Sequence, residues 1–303
     1  MTARLDTEPL HWGFSTLGCP EFSLSEACEL AAEFHLRALE LRSLWGRVDL
    51  PACMAESGIT AEKARSLFAP SHISVPVAGS SFKLVGNDSA SRAEFLDYCE
   101  WAQSWGIPNA RVFGGGTWGH PLTEADYNQA AETVAWWRQE KKVRRWKIEM
   151  LLETHDAFSA SGPCCELIKR LDEPLGIIWD SHHTWRLGGE NPAASWSRLG
   201  EWVRHVHLKD SIDKPSARHP YTYVLPGEGQ TPLAEIVRVL REHEFSGIIS
   251  LEWERLWHPY LLPLRSALSH LRLQPWFNVA SGESRQKPNY QQLSDETPRR
   301  SLV

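Results

Sequence analysis

The chain has 303 residues, a net charge of −6 and 42% hydrophobic residues. This composition can form the core of one large domain or of two ordinary ones, and the acidic balance argues against a nucleic-acid partner. The sequence has no uninterrupted apolar run of membrane-spanning length, and its N-terminus lacks the apolar core of a signal peptide. We therefore expect a cytoplasmic protein with no membrane partner. The six cysteines lack a metal-binding spacing and are expected to be reduced thiols.

Predicted strands and helices alternate strictly along most of the chain. The predicted strands cover residues 10–17, 38–43, 73–77, 109–116, 146–153, 176–180, 204–210 and 248–254. The predicted helices cover residues 23–34, 60–68, 89–105, 123–144, 162–171, 192–202, 231–242 and 262–271. This alternation predicts an α/β fold, a (β/α)8 TIM barrel, with a doubly wound sheet as the alternative. We expect residues 1–275 to form this single domain. Residues 276–303 are polar and aperiodic, and we expect a disordered tail or an oligomer arm.

Four consecutive predicted strands end in polar residues, namely Glu153, Asp180, His207 and Glu252. The C-terminal ends of barrel strands meet at one face, so these side chains are expected to converge there. Taken singly, each is better explained as a hydrogen-bonded or ion-paired strand end. Taken together, they favour a bound cation, because unpaired buried carboxylates are costly. Three carboxylates and one imidazole suit a single divalent metal ion, with Mn²⁺ as the first choice and Mg²⁺, Co²⁺ or Zn²⁺ as alternatives.

Five short motifs carry a resemblance to a known family. They are Leu-Leu-Glu153-Thr-His, Trp-Asp180-Ser-His-His183, His-Val-His207-Leu-Lys-Asp210, Gly227-Glu-Gly229 and Ser-Leu-Glu252-Trp-Glu. Over residues 10–272 the chain resembles the xylose isomerase-like barrel superfamily, in particular its sugar phosphate isomerase/epimerase branch. The resemblance implies that Glu153, Asp180, His207 and Glu252 bind one divalent metal. It also implies that Glu153 and Glu252 act as acid and base on opposite sides of a substrate carbon.

The residue types suit proton transfer next to a carbonyl group. One glutamate removes the proton, the other returns it, and a metal stabilises the enediolate between the two steps. The outcome is isomerisation or epimerisation of a sugar or sugar phosphate, or dehydration if a β-hydroxyl group leaves. The strand-seven motif around His207 also resembles inosose dehydratases, so a lyase is the first alternative. An apurinic endonuclease-like zinc phosphodiesterase and a non-catalytic sugar-binding barrel are weaker alternatives. Strand four lacks the histidine that the endonuclease branch would need there.

Further residues are candidates for contacts with a carbohydrate or cyclitol substrate. His183 matches the position that contacts substrate oxygens in the related epimerases. Lys209 can neutralise an enolate or another anion, or form an ion pair with Asp210 or Glu252. Glu40 and Arg42 share one strand face, so they either orient each other or contact the substrate.

Tryptophans in the strand-to-helix loops can stack on the C–H faces of a sugar. Trp118 and Trp185 are the candidates for this contact, and Trp45 and Trp257 lie in comparable loops. Each can instead pack under its loop or form an oligomer face, so a homodimer or tetramer remains an open expectation. Residues 114–116 are all glycine but lack the spacing of a phosphate-binding motif, and we interpret them as backbone clearance. A phosphorylated substrate is therefore not required.

Overall fold

A computed structural model describes residues 10–277 and contains ten strands and ten α-helices in this range. In chain order the strands are β1 (His11–Ser15), β2 (Ala38–Leu41), β3 (Ser74–Lys83), β4 (Asn109–Phe113), β5 (Glu149–Glu153), β6 (Gly176–Asp180), β7 (Val203–Leu208), β8 (Asp210–Ile212), β9 (Thr222–Val224) and β10 (Ile248–Leu251). The helices are α1 (Leu24–Glu33), α2 (Leu50–Glu56), α3 (Ala61–Phe68), α4 (Ser89–Ser104), α5 (Glu124–Arg144), α6 (Ser161–Ile168), α7 (Ser181–Arg186), α8 (Pro192–Leu199), α9 (Leu233–Glu242) and α10 (Leu264–Leu273).

Eight of the strands close into a parallel barrel in the order β1-β10-β7-β6-β5-β4-β3-β2. The predicted TIM barrel is confirmed, and the doubly wound alternative is wrong because β1 pairs with both β2 and β10 and leaves no open edge. Strands β8 and β9 pair only with each other, as an antiparallel hairpin at the barrel mouth. Within residues 10–277, no helix is both long and apolar enough to cross a membrane.

Local capping interactions explain where several helices begin. The Ser23 hydroxyl accepts a hydrogen bond from the backbone N–H of Glu26, and the Glu26 carboxylate accepts one from the backbone N–H of Ser23, as the capping-box sequence predicts. Asp88 is the N-cap residue of helix α4, because its carboxylate accepts the Ser91 N–H. Helices α2 and α7 and the β8–β9 hairpin lie in segments predicted to be loops. Both helices have fewer than two full turns, so their sequences show little helical periodicity.

An apolar cluster lies inside the barrel, beneath the polar residues at its mouth. Val77, Leu151 and Ile178 form a buried apolar cluster separate from the main core, which lies between the barrel and the helices. Since side chains alternate along a strand, Glu153 and Asp180 follow Leu151 and Ile178 two residues later on the same face. The polar residues at the strand ends therefore lie directly above an apolar layer.

The last described residues pack against the first strand. The rings of Trp276 and Phe277 lie 6.3 Å and 4.7 Å from the ring of Trp12, measured between centroids. These two residues belong to the segment predicted to be a tail. The rest of that segment, residues 278–303, and the polar leader, residues 1–9, lie outside the described range, so the tail stays a prediction.

The glycine run after β4 makes close contacts with a neighbouring turn. A Cβ atom at Gly114 would overlap the buried ring of Phe158, and one at Gly116 would lie 2.8 Å from the Cβ of Ala157. Gly115 and Gly116 also adopt φ values of +83° and +72°. The run therefore gives backbone clearance for the turn at residues 156–158.

Replacing Gly114 with alanine is expected to destabilise the protein by about 1–3 kcal/mol, the usual cost of overpacking a core. Urea unfolding followed by tryptophan fluorescence measures the change. Gly162→Ala is the matched control, because nothing lies within 4 Å of a Cβ there, and it is expected to be neutral or stabilising. Equal stability of the Gly114 variant and the wild type would show that the Phe158 turn has another position available.

Candidate active site

Four side chains from neighbouring strands meet at the barrel mouth. Glu153 ends β5, Asp180 ends β6, His207 lies in β7, and Glu252 follows β10. All four are buried, and each offers one ligand atom such that these atoms lie within 4.8 Å of one another. The register explains the convergence, because His207 pairs with Asp180 on one side and with Ser250 on the other.

The imidazole of His207 is held between carboxylates. Its Nε2 lies 2.9 Å from Oε2 of Glu40, and its Nδ1 lies 3.3 Å from Oε1 of Glu153 and 3.3 Å from Oε2 of Glu252. Burial lowers the pKa of His207, but the three carboxylates outweigh it and place the pKa well above its usual value. Burial raises the pKa of Glu40, yet His207 and His205 together bring it down to about 2. This geometry orients Nδ1 toward the acidic cluster, with Glu40 fixing the ring from behind.

Lys209 is a fully buried cation shared by three carboxylates. Its Nζ lies 2.8 Å from Oδ2 of Asp180, 2.6 Å from Oε2 of Glu252 and 2.6 Å from Oε1 of Glu254. Asp210 is not its partner, because that carboxylate accepts backbone N–H groups at residues 211, 227, 229 and 231. Burial opposes the charge on Lys209, but Asp180, Glu252 and Glu254 raise its pKa well above the usual value.

Asp180 serves two structural elements at once. Its Oδ1 accepts the N–H of His183 at 2.9 Å and so begins α7. Its Oδ2 is buried and lacks a hydrogen bond of good geometry, although the Lys209 ammonium lies close enough for electrostatic attraction. Burial, together with the charges of Glu252 and Glu153, raises the pKa of Asp180 to about 7 despite the attraction of Lys209.

These features fit a divalent cation. The donor set contains three carboxylates and one ring nitrogen, one carboxylate oxygen has no hydrogen bond, and all donors lie in one buried cluster. Hard divalent ions take such oxygen-rich sets, and they remove the cost of burying several carboxylates side by side. Glu153, Asp180, His207 and Glu252 are therefore the residues that would hold a metal ion.

A pocket of about 280 Å³ opens directly beside this cluster. Of the residues predicted from the sequence, the pocket wall includes Glu153, Glu252, Lys209, Arg42 and Trp257. The pocket wall also includes Leu17, Arg111, Phe113, His155, Arg218, His219, Glu254 and His258. Glu254 shares a face with Glu252 by period-two alternation, so that pattern was available in the sequence. The loop residues have no comparable periodic signal.

The remaining predicted substrate residues lie away from the pocket wall. Glu40 lies behind His205 and His207 and makes no ion pair with Arg42 in the described chain. His183 is buried, with Nδ1 3.1 Å from Oδ2 of Asp180 and 2.9 Å from the Thr154 carbonyl oxygen. Trp118 is 48% exposed, and its indole N–H donates to the carbonyl of Leu187. Substrate contacts by these residues stay predictions.

Trp185 is also absent from the pocket wall. It is half-buried in α7, where the guanidinium of Arg186 lies over its ring at 5.3 Å. Its predicted stacking on a sugar therefore also stays a prediction. The described structure gives Trp185 a cation–π partner from its own helix instead.

Arg111 is the neighbour of Glu153 on the other side of the cluster. Its Nη1 donates to Oε2 of Glu153 at 2.6 Å, and its guanidinium carbon lies 4.0 Å from the centroid of the Phe113 ring. Burial raises the pKa of Glu153, but Arg111 and His207 outweigh this effect and hold it well below the usual range. Glu252 is likewise held well below its usual pKa by His207 and Lys209 against the effect of burial. Both glutamates are thus ionised.

Comparisons with known proteins agree with the fold. A sequence model described as "Xylose isomerase-like TIM barrel" matches residues 28–274. A search of curated proteins finds no match.

Several solved structures are similar in fold. The probable 3-DHS dehydratase AsbF from Bacillus anthracis is 20% identical, with a TM-score of 0.69, covering 87% of this chain and 98% of that one. The IolI protein, solved with a bound zinc atom, is 18% identical, with a TM-score of 0.67, covering 86% and 95% of the two chains. D-allulose 3-epimerase from a Methylomonas species, solved with D-allulose, is 15% identical, with a TM-score of 0.61, covering 80% and 84%.

Replacing Lys209 with methionine is expected to destabilise the metal-free protein by about 3–5 kcal/mol, because three buried carboxylates lose their shared cation. Urea unfolding in the presence of a chelator measures the loss. Lys214→Met is the control, since Lys214 is exposed a few residues later, and it is expected to stay within about 0.5 kcal/mol of wild type. A Lys209 variant as stable as the control would contradict the assigned charge balance.

Proposed function

The chain belongs to the xylose isomerase-like TIM barrel family, and on that basis we propose that it is a divalent-metal-dependent isomerase or epimerase. Its substrate is a sugar or a related polyhydroxy ketone such as a keto-cyclitol. The observation that carries this proposal is that Glu153 and Glu252 each take part in two features of the site. Each carboxylate belongs both to the four-residue donor cluster and to the wall of the pocket.

The two glutamates supply the proton transfer. Both are ionised in the free chain, so either can accept a proton from the carbon next to a carbonyl group, and the glutamate that protonates the substrate first takes up a proton from solvent. A cation held by the donor cluster would act as a Lewis acid on the carbonyl and hydroxyl oxygens of the substrate. Arg111 and Lys209 hold the pKa values of Glu153 and Glu252 down. Substrate oxygens that accept hydrogen bonds from these cations weaken that effect and raise both pKa values toward the range useful for proton transfer.

Dehydration is the second candidate, and His155 is the observation that favours it. This histidine lines the pocket next to Glu153, and its Nδ1 lies 2.8 Å from Oδ1 of Asp156. A histidine oriented by a carboxylate can deliver a proton to a departing hydroxyl group. The AsbF structure, described as a probable dehydratase, has the same overall fold. The reaction product distinguishes the two candidates, because dehydration releases water and isomerisation does not.

Turnover in D₂O by the Mn²⁺-loaded protein tests the proposal on ketohexoses, ketopentoses, their phosphates and inososes. Wild type is expected to place deuterium on the carbon next to the carbonyl of its substrate, as detected by NMR. Glu153→Gln and Glu252→Gln are each expected to slow turnover by about 10²- to 10⁴-fold, the usual value of general acid–base catalysis.

Glu56→Gln is the matched control, because this glutamate is exposed and pairs only with Arg47 on the surface. It is expected to leave turnover unchanged. Full turnover by both active-site variants would reject the proposed mechanism. Isomerisation without deuterium incorporation would indicate a hydride shift instead, and an unsaturated product would indicate the lyase.

Binding of Mn²⁺ is expected to release protons, and the number depends on pH. The pKa of His207 lies well above its usual value and that of Asp180 is about 7, so both ligands carry protons at acidic pH. A metal must displace them, so affinity falls as pH falls. We expect Mn²⁺ binding to release more protons at pH 6 than at pH 8, because Asp180 carries its proton only at the lower pH. Calorimetry in two buffers with different ionisation enthalpies counts these protons. A count of zero at both values would exclude His207 and Asp180 as ligands.

A further inference from the structure

The barrel mouth has two chemically different halves. Strands β5, β6, β7 and β10 carry the acidic cluster and its lysine. The opposite half carries two arginines, Arg42 just after β2 and Arg111 on β4. Both side chains are buried, at 6% and 2% exposure, and both line the pocket. The pocket therefore has two arginines on its β2–β4 side, and one of them, Arg111, contacts the proposed metal ligand Glu153.

Arg42 is a buried cation without a carboxylate partner in the described part of the chain. Its Nη2 donates to Oγ of Ser81 at 3.0 Å and its Nη1 to the carbonyl of Gly79 at 3.4 Å. No carboxylate of residues 10–277 lies within ion-pair distance of its guanidinium. Burial and the nearby charge of Arg111 lower the pKa of Arg42 to about 10, so it remains charged at neutral pH. A buried charge without a counter-ion is costly, and an anion from outside the chain would remove the cost.

The second arginine also has unused hydrogen-bonding capacity. Arg111 uses Nη1 for Glu153, while its Nε is buried and has no partner. Stacking on Phe113 fixes the plane of the guanidinium. A fixed, planar donor with a free N–H suits an oxygen acceptor from a ligand.

Gly79 on β3 allows the two arginines to approach each other. A Cβ atom there would lie 2.7 Å from Cδ of Arg42 and 3.0 Å from Nη2 of Arg111. The two positively charged guanidinium groups can therefore approach each other, because Gly79 has no side chain to separate them. This arrangement is unfavourable in the free chain and favourable around a shared anion.

We propose that the substrate carries a carboxylate group and that Arg42 and Arg111 bind it on the β2–β4 side of the pocket, next to the acidic cluster. This inference rests on the proposed function for the reacting end of the substrate, and it adds the chemistry of the other end. A carboxylate is favoured over a phosphate because the glycine run at residues 114–116 packs against Phe158 and Ala157 and offers no open loop for a phosphate group. Planar carboxylates also match the guanidinium fork.

Equilibrium binding to the metal-free full-length chain tests this proposal without depending on turnover. The probes are D-fructose, D-fructuronate and D-fructose 6-phosphate, which differ in one terminal group, with myo-inositol and quinate as a cyclic pair. We expect the carboxylates to bind about 10- to 100-fold more tightly than the neutral members, as measured by calorimetry and ligand-observed NMR. Arg42→Gln is expected to abolish this preference.

Melting temperatures and a second variant, Gly79→Ala, distinguish an effect on carboxylate binding from an effect on folding. Arg42→Gln is expected to melt at or above the wild-type temperature, since it removes a buried unpaired charge, and carboxylate probes should no longer raise its melting temperature. Gly79→Ala is expected to weaken carboxylate binding through its contacts with both arginines. The control Arg238→Gln changes an exposed arginine paired with Glu242, and it should keep the preference.

Other results overturn the proposal. Equal binding of neutral and charged probes, absence of carboxylate binding, or a preference that persists in Arg42→Gln would each reject it. Tighter binding of the phosphate than of the uronate would reject the carboxylate assignment in favour of a phosphate. Normal turnover by the Glu153 and Glu252 variants would reject the proposed function and leave this binding result unaffected, so the two failures are distinguishable.

Discussion

The cost of burying several carboxylates side by side controls the architecture of the barrel mouth. Glu40, Glu153, Asp180 and Glu252 are nearly inaccessible to water. Each charge needs a partner inside the protein, because burial otherwise favours the neutral acid. Three cations provide these partners, namely Arg111 on β4, His207 on β7 and Lys209 just after β7. The resulting network joins six barrel strands through side chains, so the shape of the pocket follows from charge balance as much as from packing.

The same constraint explains how the charges of the proposed metal ligands are balanced in the metal-free chain. In the metal-free chain, Lys209 and protonated His207 supply positive charge where a divalent ion would otherwise supply it. A cation that binds between Asp180 and His207 competes with these groups. Metal affinity, proton binding and stability are therefore linked, because all three depend on the same carboxylates.

The barrel and the convergence of Glu153, Asp180, His207 and Glu252 could be predicted from the sequence, because both depend on local periodicity and on strand ends. The contacts of Glu40 could not. Period-two alternation places Glu40 and Arg42 on one face, but two residues along a strand span about 6–7 Å. Glu40 thus lies deep beside His205 and His207, more than 160 positions away in sequence, while Arg42 reaches the pocket. Such pairings depend on how strands stagger around the barrel, which no single strand encodes.

Asp210 gives the protein a way to change its substrate without changing its barrel. This buried carboxylate accepts the N–H groups of residues 211, 227, 229 and 231, so it fastens both ends of one long excursion at a single point. The excursion includes Arg218 and His219, which form part of the pocket wall. Insertions or replacements between the fastened ends would remodel that wall while the strands keep their register. Substrate specificity can therefore change in this segment without any change in Glu153 and Glu252, the residues proposed for proton transfer.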